Sequence, residues 1–111
     1  MLDANPAQLF AAPLFAALGD ATRLRLVTQL GEDGPASIAA LTKGGGLTRQ
    51  AVTKHLYVLE KAGLVSCARL GRESLWRLER QRLADARAWL DQRSRDWDAR
   101  IDRLRAWVED A

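Results

Sequence analysis

Apolar side chains recur along most of this chain at helical spacing, in runs separated by glycine, proline and capping residues. Leu9, Phe10, Leu14, Phe15 and Leu18 mark a first helix. Asn5 followed by Pro6 is a good start for it, with Asn as the cap and Pro at the first helical position. Pro13 is expected to kink or restart this helix, and Gly19 to end it. Asp20 caps a second helix with Leu24, Leu26, Val27 and Leu30 on its apolar face, and Gly31 to Gly34, followed by Pro35, reads as a turn. Ser37 caps a short third helix over residues 38–42, with Ile38 and Leu41 facing inward. Gly44-Gly45-Gly46 breaks the chain again. Thr48 then caps a fourth helix that runs to about Ala62, is stopped by Gly63, and has Val52, Leu56 and Leu59 on its buried side.

After Gly63 the character changes. Residues 64–69 and 74–79 are two short β-prone runs joined by Leu70-Gly71-Arg72-Glu73, a hairpin by its length and its glycine. Residues 82–110 then form an unbroken helical pattern without Gly or Pro, in which Leu83, Ala86, Leu90, Trp97, Ile101, Leu104 and Val108 recur every three or four positions. The expected fold is mainly α with a small β-hairpin: four helices, two strands and a fifth helix in one domain spanning residues 1–111. Residues 9–81 would form its core and residues 82–110 a C-terminal helix.

That last helix does not fit inside its own domain. A compact globule of 111 residues has a radius of gyration of roughly 13 Å, whereas the helix would be roughly 42 Å long. A stripe that outruns its domain needs a partner surface, and the simplest partner is a second copy. Leu90, Trp97, Ile101, Leu104 and Val108 form the dimer seam, with Ser94 at the remaining heptad position. The first helix, through Phe10 and Phe15, is expected to pack beside it, and Phe10 is counted with the dimer surface. Trp89, Trp97 and Trp107 add bulk to this helix; they either pack or line a pocket for an apolar effector.

Composition makes the chain an ordinary globular protein, 48% hydrophobic and 28% charged, and its net charge of +3 is unevenly spread. Residues 43–82 carry nine basic side chains against three acidic ones, while the flanking segments are slightly negative. A basic block of this kind is the electrostatic footprint of polyanion binding, although Lys and Arg also simply solubilise. The segment MLDANPAQLF has no basic stretch ahead of an apolar one, so no secretory signal is expected. No apolar run approaches the length of a membrane span. A lone cysteine, Cys67, fits a reducing compartment, and the expected location is cytoplasmic.

Within the basic block, a short helix, a tight turn, a capped helix and a hairpin follow one another at the spacing of a winged helix-turn-helix. On the fourth helix Gln50, Thr53, Lys54 and Tyr57 fall at i, i+3, i+4 and i+7, away from Val52, Leu56 and Leu59, with Arg49 beside them. Gln can make a bidentate contact to adenine, Thr can bond bases or touch a thymine methyl, and Lys or Arg can bond guanine or phosphate. Thr48 and Arg49 at the helix N-terminus also favour phosphate. In the hairpin, Arg69 and Arg72 suit the adjacent DNA backbone or minor groove. Arg77 reads equally well as a solvated edge charge. The bland alternative for the whole face is solvation alone.

The runs FAALGDATRLRLVTQL, SIAAL and LTRQAVTKHLYVLEKAGLV, and a wing ending SLWRLE, resemble the ArsR family of bacterial winged-helix repressors from about residue 9 to 108. The most specific pieces are LGDATRLRLV and AVTKHLYVLEKAGLV. The resemblance implies a homodimer that occupies double-stranded DNA at an operator, usually near its own gene, and releases it on a signal. Many members sense metals or arsenicals, and here the sequence departs from them. Where the family's metal motif places cysteines, this chain has Ser37-Ile38-Ala39-Ala40-Leu41, and its C-terminal helix contains no histidine. Carboxylates alone (Asp85, Asp91, Asp98, Asp102) suit harder cations and bind weakly. No metal site and no cofactor is expected. His55 matches the family's histidine in this helix and is expected to hydrogen-bond structurally or to graze a phosphate. Cys67 reads as a packing residue rather than a redox switch. With no phosphate loop and no nucleophile beside a plausible base, catalysis is not expected. The competing reading is a winged-helix module that binds an acidic protein partner.

Overall fold

The computed structural model describes residues 6–110. In chain order the elements are α1 (Pro6–Leu18), α2 (Ala21–Asp33), α3 (Ile38–Thr42), α4 (Arg49–Lys61), β1 (Val65–Leu70), β2 (Glu73–Leu78) and α5 (Arg80–Glu109). The predicted cap Asn5 lies outside the described residues. Three other caps act as their chemistry suggests. The side chains of Asp20, Ser37 and Thr48 accept from the backbone N–H groups of Arg23, Ala40 and Ala51 at 3.0, 3.2 and 3.1 Å, satisfying donors that would otherwise be left open.

Two expectations about breakers are corrected. α1 is not restarted at Pro13 but runs through it. Pro13 leaves the Leu9 carbonyl without its helical donor; Leu9 is exposed, so water can serve that acceptor, while Ala11 on one side of it and Leu14 and Ala17 on the other are buried. α2 likewise continues past Gly31 to Asp33 and turns out only at Gly34. An interior glycine costs about 1 kcal/mol, which the packing of Leu26, Val27 and Leu30 on the core outweighs.

Leu14, Leu26, Leu41, Val52, Leu56, Leu59 and Leu64 are fully buried and, with Val65, Trp76 and Ala86, form one continuous core drawn from every element. The hairpin is tighter than predicted. Its strands pair antiparallel from Val65 opposite Leu78 to Leu70 opposite Glu73, so only Gly71 and Arg72 remain in the turn. Gly71 takes φ +62° while Arg72 stays at negative φ, the pattern of a II′ turn with glycine first. Ala36 and Trp76 exchange backbone hydrogen bonds of 2.9 and 2.8 Å, so the segment before α3 adds a bridge to β2 that no local sequence signal announces.

The molecule is not the compact globule expected from its length. Its radius of gyration is 18.9 Å and its extents are 69 × 33 × 21 Å, because α5 runs for 30 residues, roughly 45 Å. Its first turns are anchored: Ala86 is buried, Trp89 packs on Phe15 with ring centroids 5.5 Å apart, and the Arg82 guanidinium lies 5.5 Å above the Phe10 ring. Over residues 90–110 everything except Ile101 is exposed.

Candidate nucleic-acid interface

The site begins with how α4 is held. Thr48 fixes its N-terminus, and Val52, Leu56 and Leu59 lock one side into the core. Arg49, Gln50, Lys54 and Tyr57 are consequently exposed on another side. Thr53 is half-buried and its hydroxyl donates to the Arg49 carbonyl at 2.7 Å, leaving its oxygen as an acceptor and its methyl as an apolar contact. The turn between α3 and α4 is closed by a tight approach. A Cβ at Gly45 would come within 2.7 Å of Arg25 Nη2, so the guanidinium rests against bare backbone there.

The wing is fastened to this helix by aromatic packing. Trp76, 3% exposed, meets Tyr57 with ring centroids 6.0 Å apart and planes tilted by 59°. Side chains alternate across a strand, and the register puts Val65, Cys67, Arg69, Ser74, Trp76 and Leu78 on one face. Arg69 therefore shares the face that carries Trp76 toward α4, and its Nε lies 3.5 Å from the Gly71 carbonyl. Arg72 is exposed at the tip. Arg77 lies on the opposite face, where its Nε donates to Ser66 Oγ at 3.1 Å and sits 3.4 Å from Glu79. The structure thus brings Thr48, Arg49, Gln50, Thr53, Lys54 and Tyr57 together on α4, with Arg69 and Arg72 on the adjoining wing. Arg77 is drawn away into a pair along the hairpin. Cys67, expected to pack, is instead exposed and free.

Behind α4 lies a polar hub in which the sequence marks Asp20 as a cap and His55 as a structural hydrogen-bonding residue, but not their shared partner Arg23. Arg23 donates through Nε to the Ala17 carbonyl at 2.6 Å and through Nη2 to the Ala16 carbonyl at 3.4 Å. Its Nη1 lies 3.4 Å from His55 Nδ1, and Asp20 lies 3.8 Å from the same nitrogen. The Arg23 backbone N–H, bonded to the Asp20 carboxylate, holds that group below the ordinary carboxylate range. Partial burial opposes this, and the charge of Arg23 reinforces it. A lowered pKa means that this cap stabilises the fold above the ordinary carboxylate range and is lost as pH falls through the folded-state value. His55 is 32 residues from Arg23 in sequence, and only the fold brings them together.

The seam residues of α5 are placed differently from Phe10. Leu90, Trp97, Leu104 and Val108 are exposed and Ile101 is half-buried, whereas Phe10 is packed within its own chain. The polar side of the arm is internally paired: Gln92 and Arg93 donate to Asp96 at 2.9 and 3.1 Å. The hydrogen bond from Gln92, with Arg93 beside it, keeps the Asp96 carboxyl below its ordinary range. Trp89 and Trp107 are separated by roughly 27 Å of helix, so the three tryptophans do not line one pocket within a chain. Among the described residues no group of three or more His, Cys, Asp or Glu side chains is placed to hold a metal ion. No described helix is long and apolar enough to cross a membrane.

A short helix, a glycine turn, a capped helix with an exposed polar face and a basic hairpin define a winged helix-turn-helix, the architecture of a DNA-binding protein. Comparison with known proteins gives the same class. A family model described as a helix-turn-helix domain matches residues 18–68. The chain is 42% identical over 65 residues to YuzN, an uncharacterized HTH-type transcriptional regulator of Bacillus subtilis (strain 168), covering 53% of this chain and 71% of that protein. Among solved structures it is similar to an ArsR-like transcriptional regulator from Rhodococcus sp. RHA1, with 33% identity and a TM-score of 0.78 over 86% of this chain and 90% of that one. It is also similar to an ArsR family transcriptional regulator with 27% identity and a TM-score of 0.73, over 80% and 97% of the two chains. The chain belongs to the ArsR family of transcriptional regulators.

Proposed function

We propose that this protein is a homodimeric repressor that occupies a pseudo-palindromic operator near its own gene in the cytoplasm, and that it does not respond to metal. The observation that carries the reading is the exposed Gln50–Lys54 face of a capped helix beside an exposed basic wing. Gln50, Thr53 and Lys54 read base edges in the major groove. Thr48, Arg49, Tyr57, Arg69 and Arg72 set the protein on phosphates. Residues 9–81 act as the DNA-binding core of a single domain. The α5 arms, over residues 82–110, join two such cores through Leu90, Trp97, Ile101, Leu104 and Val108, with Phe10 supporting the base of the arm. The two recognition helices then lie about 34 Å apart, one turn of DNA, and binding over a promoter excludes polymerase.

The test is fluorescence anisotropy of the protein titrated onto its own upstream promoter and onto scrambled duplex, across a range of salt concentrations. The expected result is promoter-selective binding with a steep salt dependence, unchanged by zinc. Weak, equal binding to both duplexes would turn the reading toward an acidic protein partner for the same basic face.

Two substitutions separate base reading from phosphate contact. Gln50→Ala should cost about 1–3 kcal/mol per half-site of the operator and little on random DNA. Equal losses on both would remove Gln50 from base readout. Arg72→Ala should weaken all sequences alike and flatten the salt slope by about two, one for each wing of the dimer; an unchanged slope would place Arg72 off the DNA.

A further inference from the structure

Beside the hub of Arg23 and His55, an open groove runs between α1 and the C-terminal half of α4. It encloses about 400 Å³, within the range of small-molecule sites. Pro13, Ala16, Val58 and Ala62 give it apolar walls, and among the described residues the charged side chains lining it are Arg23 and Lys61. An apolar trough with a purely cationic lining favours an amphipathic anion over a neutral or cationic solute of the same shape. Neither the face of α4 that carries Gln50 and Lys54 nor the seam of α5 contributes a residue to it. We propose that this groove is an effector site for a small apolar carboxylate, and that Arg23 transmits its occupancy to the recognition helix.

The geometry of Arg23 supplies the transmission. Its Nε bond to Ala17 is short, 2.6 Å, and anchors the guanidinium at the end of α1. Its two terminal nitrogens are held loosely, each 3.4 Å from its acceptor, Ala16 O and His55 Nδ1, beyond the usual 2.7–3.2 Å of a good N–H···O bond. A carboxylate seated in the groove offers that fork two charge-assisted bonds of about 2.7–2.9 Å, while Lys61 neutralises its charge from the rim. When Nη1 turns to the ligand, its contact with His55 is broken, and the polar tie of α4 to the junction of α1 and α2 rests on Asp20 alone, 3.8 Å from the same ring nitrogen. By linkage, the factor by which the bound carboxylate weakens DNA binding equals the factor by which bound DNA weakens the carboxylate.

The inference of a site stands on the groove alone; its regulatory consequence rests on the DNA-binding reading above. Calorimetry and amide NMR on the whole protein, without DNA, separate the two. Octanoate and phenylacetate are the probes, with octan-1-ol and 2-phenylethanol as their neutral counterparts. The acids should bind about tenfold more tightly than the alcohols and shift the amides of Ala16, Val58 and His55. Lys61→Gln should narrow that margin without erasing it, because the Arg23 fork remains, and Ala16→Phe, which fills the groove, should abolish binding of both. Octanoate should then release promoter DNA from the unaltered protein and not from the Ala16→Phe variant. Equal binding of acid and alcohol, or no saturable shift at these amides, overturns the site. Dissociation of the dimer by Ala16→Phe without ligand would assign the groove to a second copy and overturn it too. Saturable binding of octanoate that leaves DNA affinity unchanged overturns the transmission through Arg23. A protein that binds octanoate but never bound promoter DNA would refute the repressor reading instead.

Discussion

Leu104→Asp should yield a monomer that folds normally and no longer binds an operator. Leu104 is 56% exposed within the chain, so a carboxylate there meets water in the isolated protomer, and circular dichroism and Tm should hardly change. In a two-fold dimer the same change acts twice. Each copy loses the burial of a leucine, about 1.5–3 kcal/mol, and leaves an unpaired carboxylate against an apolar seam, which costs several kcal/mol more. The dimer Kd should therefore rise by at least about a thousandfold. A single protomer can engage only one half-site, and its affinity for promoter DNA should fall toward that for scrambled duplex. Sedimentation and anisotropy on the same sample decide the matter. A stable, active dimer would remove α5 from the interface.

The second large effect is expected at the root of the wing. Trp76→Ala empties a site that is only 3% exposed, and truncating a buried tryptophan costs about 3–5 kcal/mol. For a domain of this size that corresponds to a fall in Tm of about 12 °C or more. The indole Nε1 has no hydrogen-bond partner, so the loss is one of packing, and Trp76→Phe should recover much of it. The same truncation removes the ring that meets Tyr57, so the wing should lose its fixed position relative to α4. Residual binding by Trp76→Ala should consequently become insensitive to Arg72→Ala. A loss of stability below about 1 kcal/mol would contradict the core assignment.

The helices were legible where a residue type does one local job. Asp20, Ser37 and Thr48 each have a short side-chain acceptor at the start of an apolar period, and each caps a helix. Gly71 sits where a two-residue turn needs positive φ. Gly31 and Pro13 do not interrupt their helices because breaker chemistry is only about 1–3 kcal/mol strong, and burial of Leu30 on one side and Leu14 on the other outweighs it. In the candidate interface, the polar face of α4 followed from helical period alone. The clasp of Tyr57 on Trp76 and the contact of Arg23 with His55 did not. Both join residues far apart in sequence, and neither alters the apolar spacing from which helices are read. Arg77 illustrates the limit from another side: its residue type suits DNA, yet Glu79 two positions away occupies it.

The paired backbone hydrogen bonds between Ala36 and Trp76 bear on how this regulator chooses among DNA shapes. A free hairpin must surrender conformational entropy when it meets its target, and it can bend to suit many targets. Here the base of the hairpin is spliced to the segment ahead of α3, so that entropy is given up during folding and is not charged again at the encounter. Pre-ordering of this kind trades tolerance for discrimination. With the wing on phosphates as proposed, duplexes whose groove width or curvature misplaces those phosphates by about an ångström should bind more weakly than the operator. The amides of Ala36 and Trp76 should accordingly exchange with solvent as slowly in the free protein as in the complex, so that a two-residue splice makes the wing a gauge of DNA geometry.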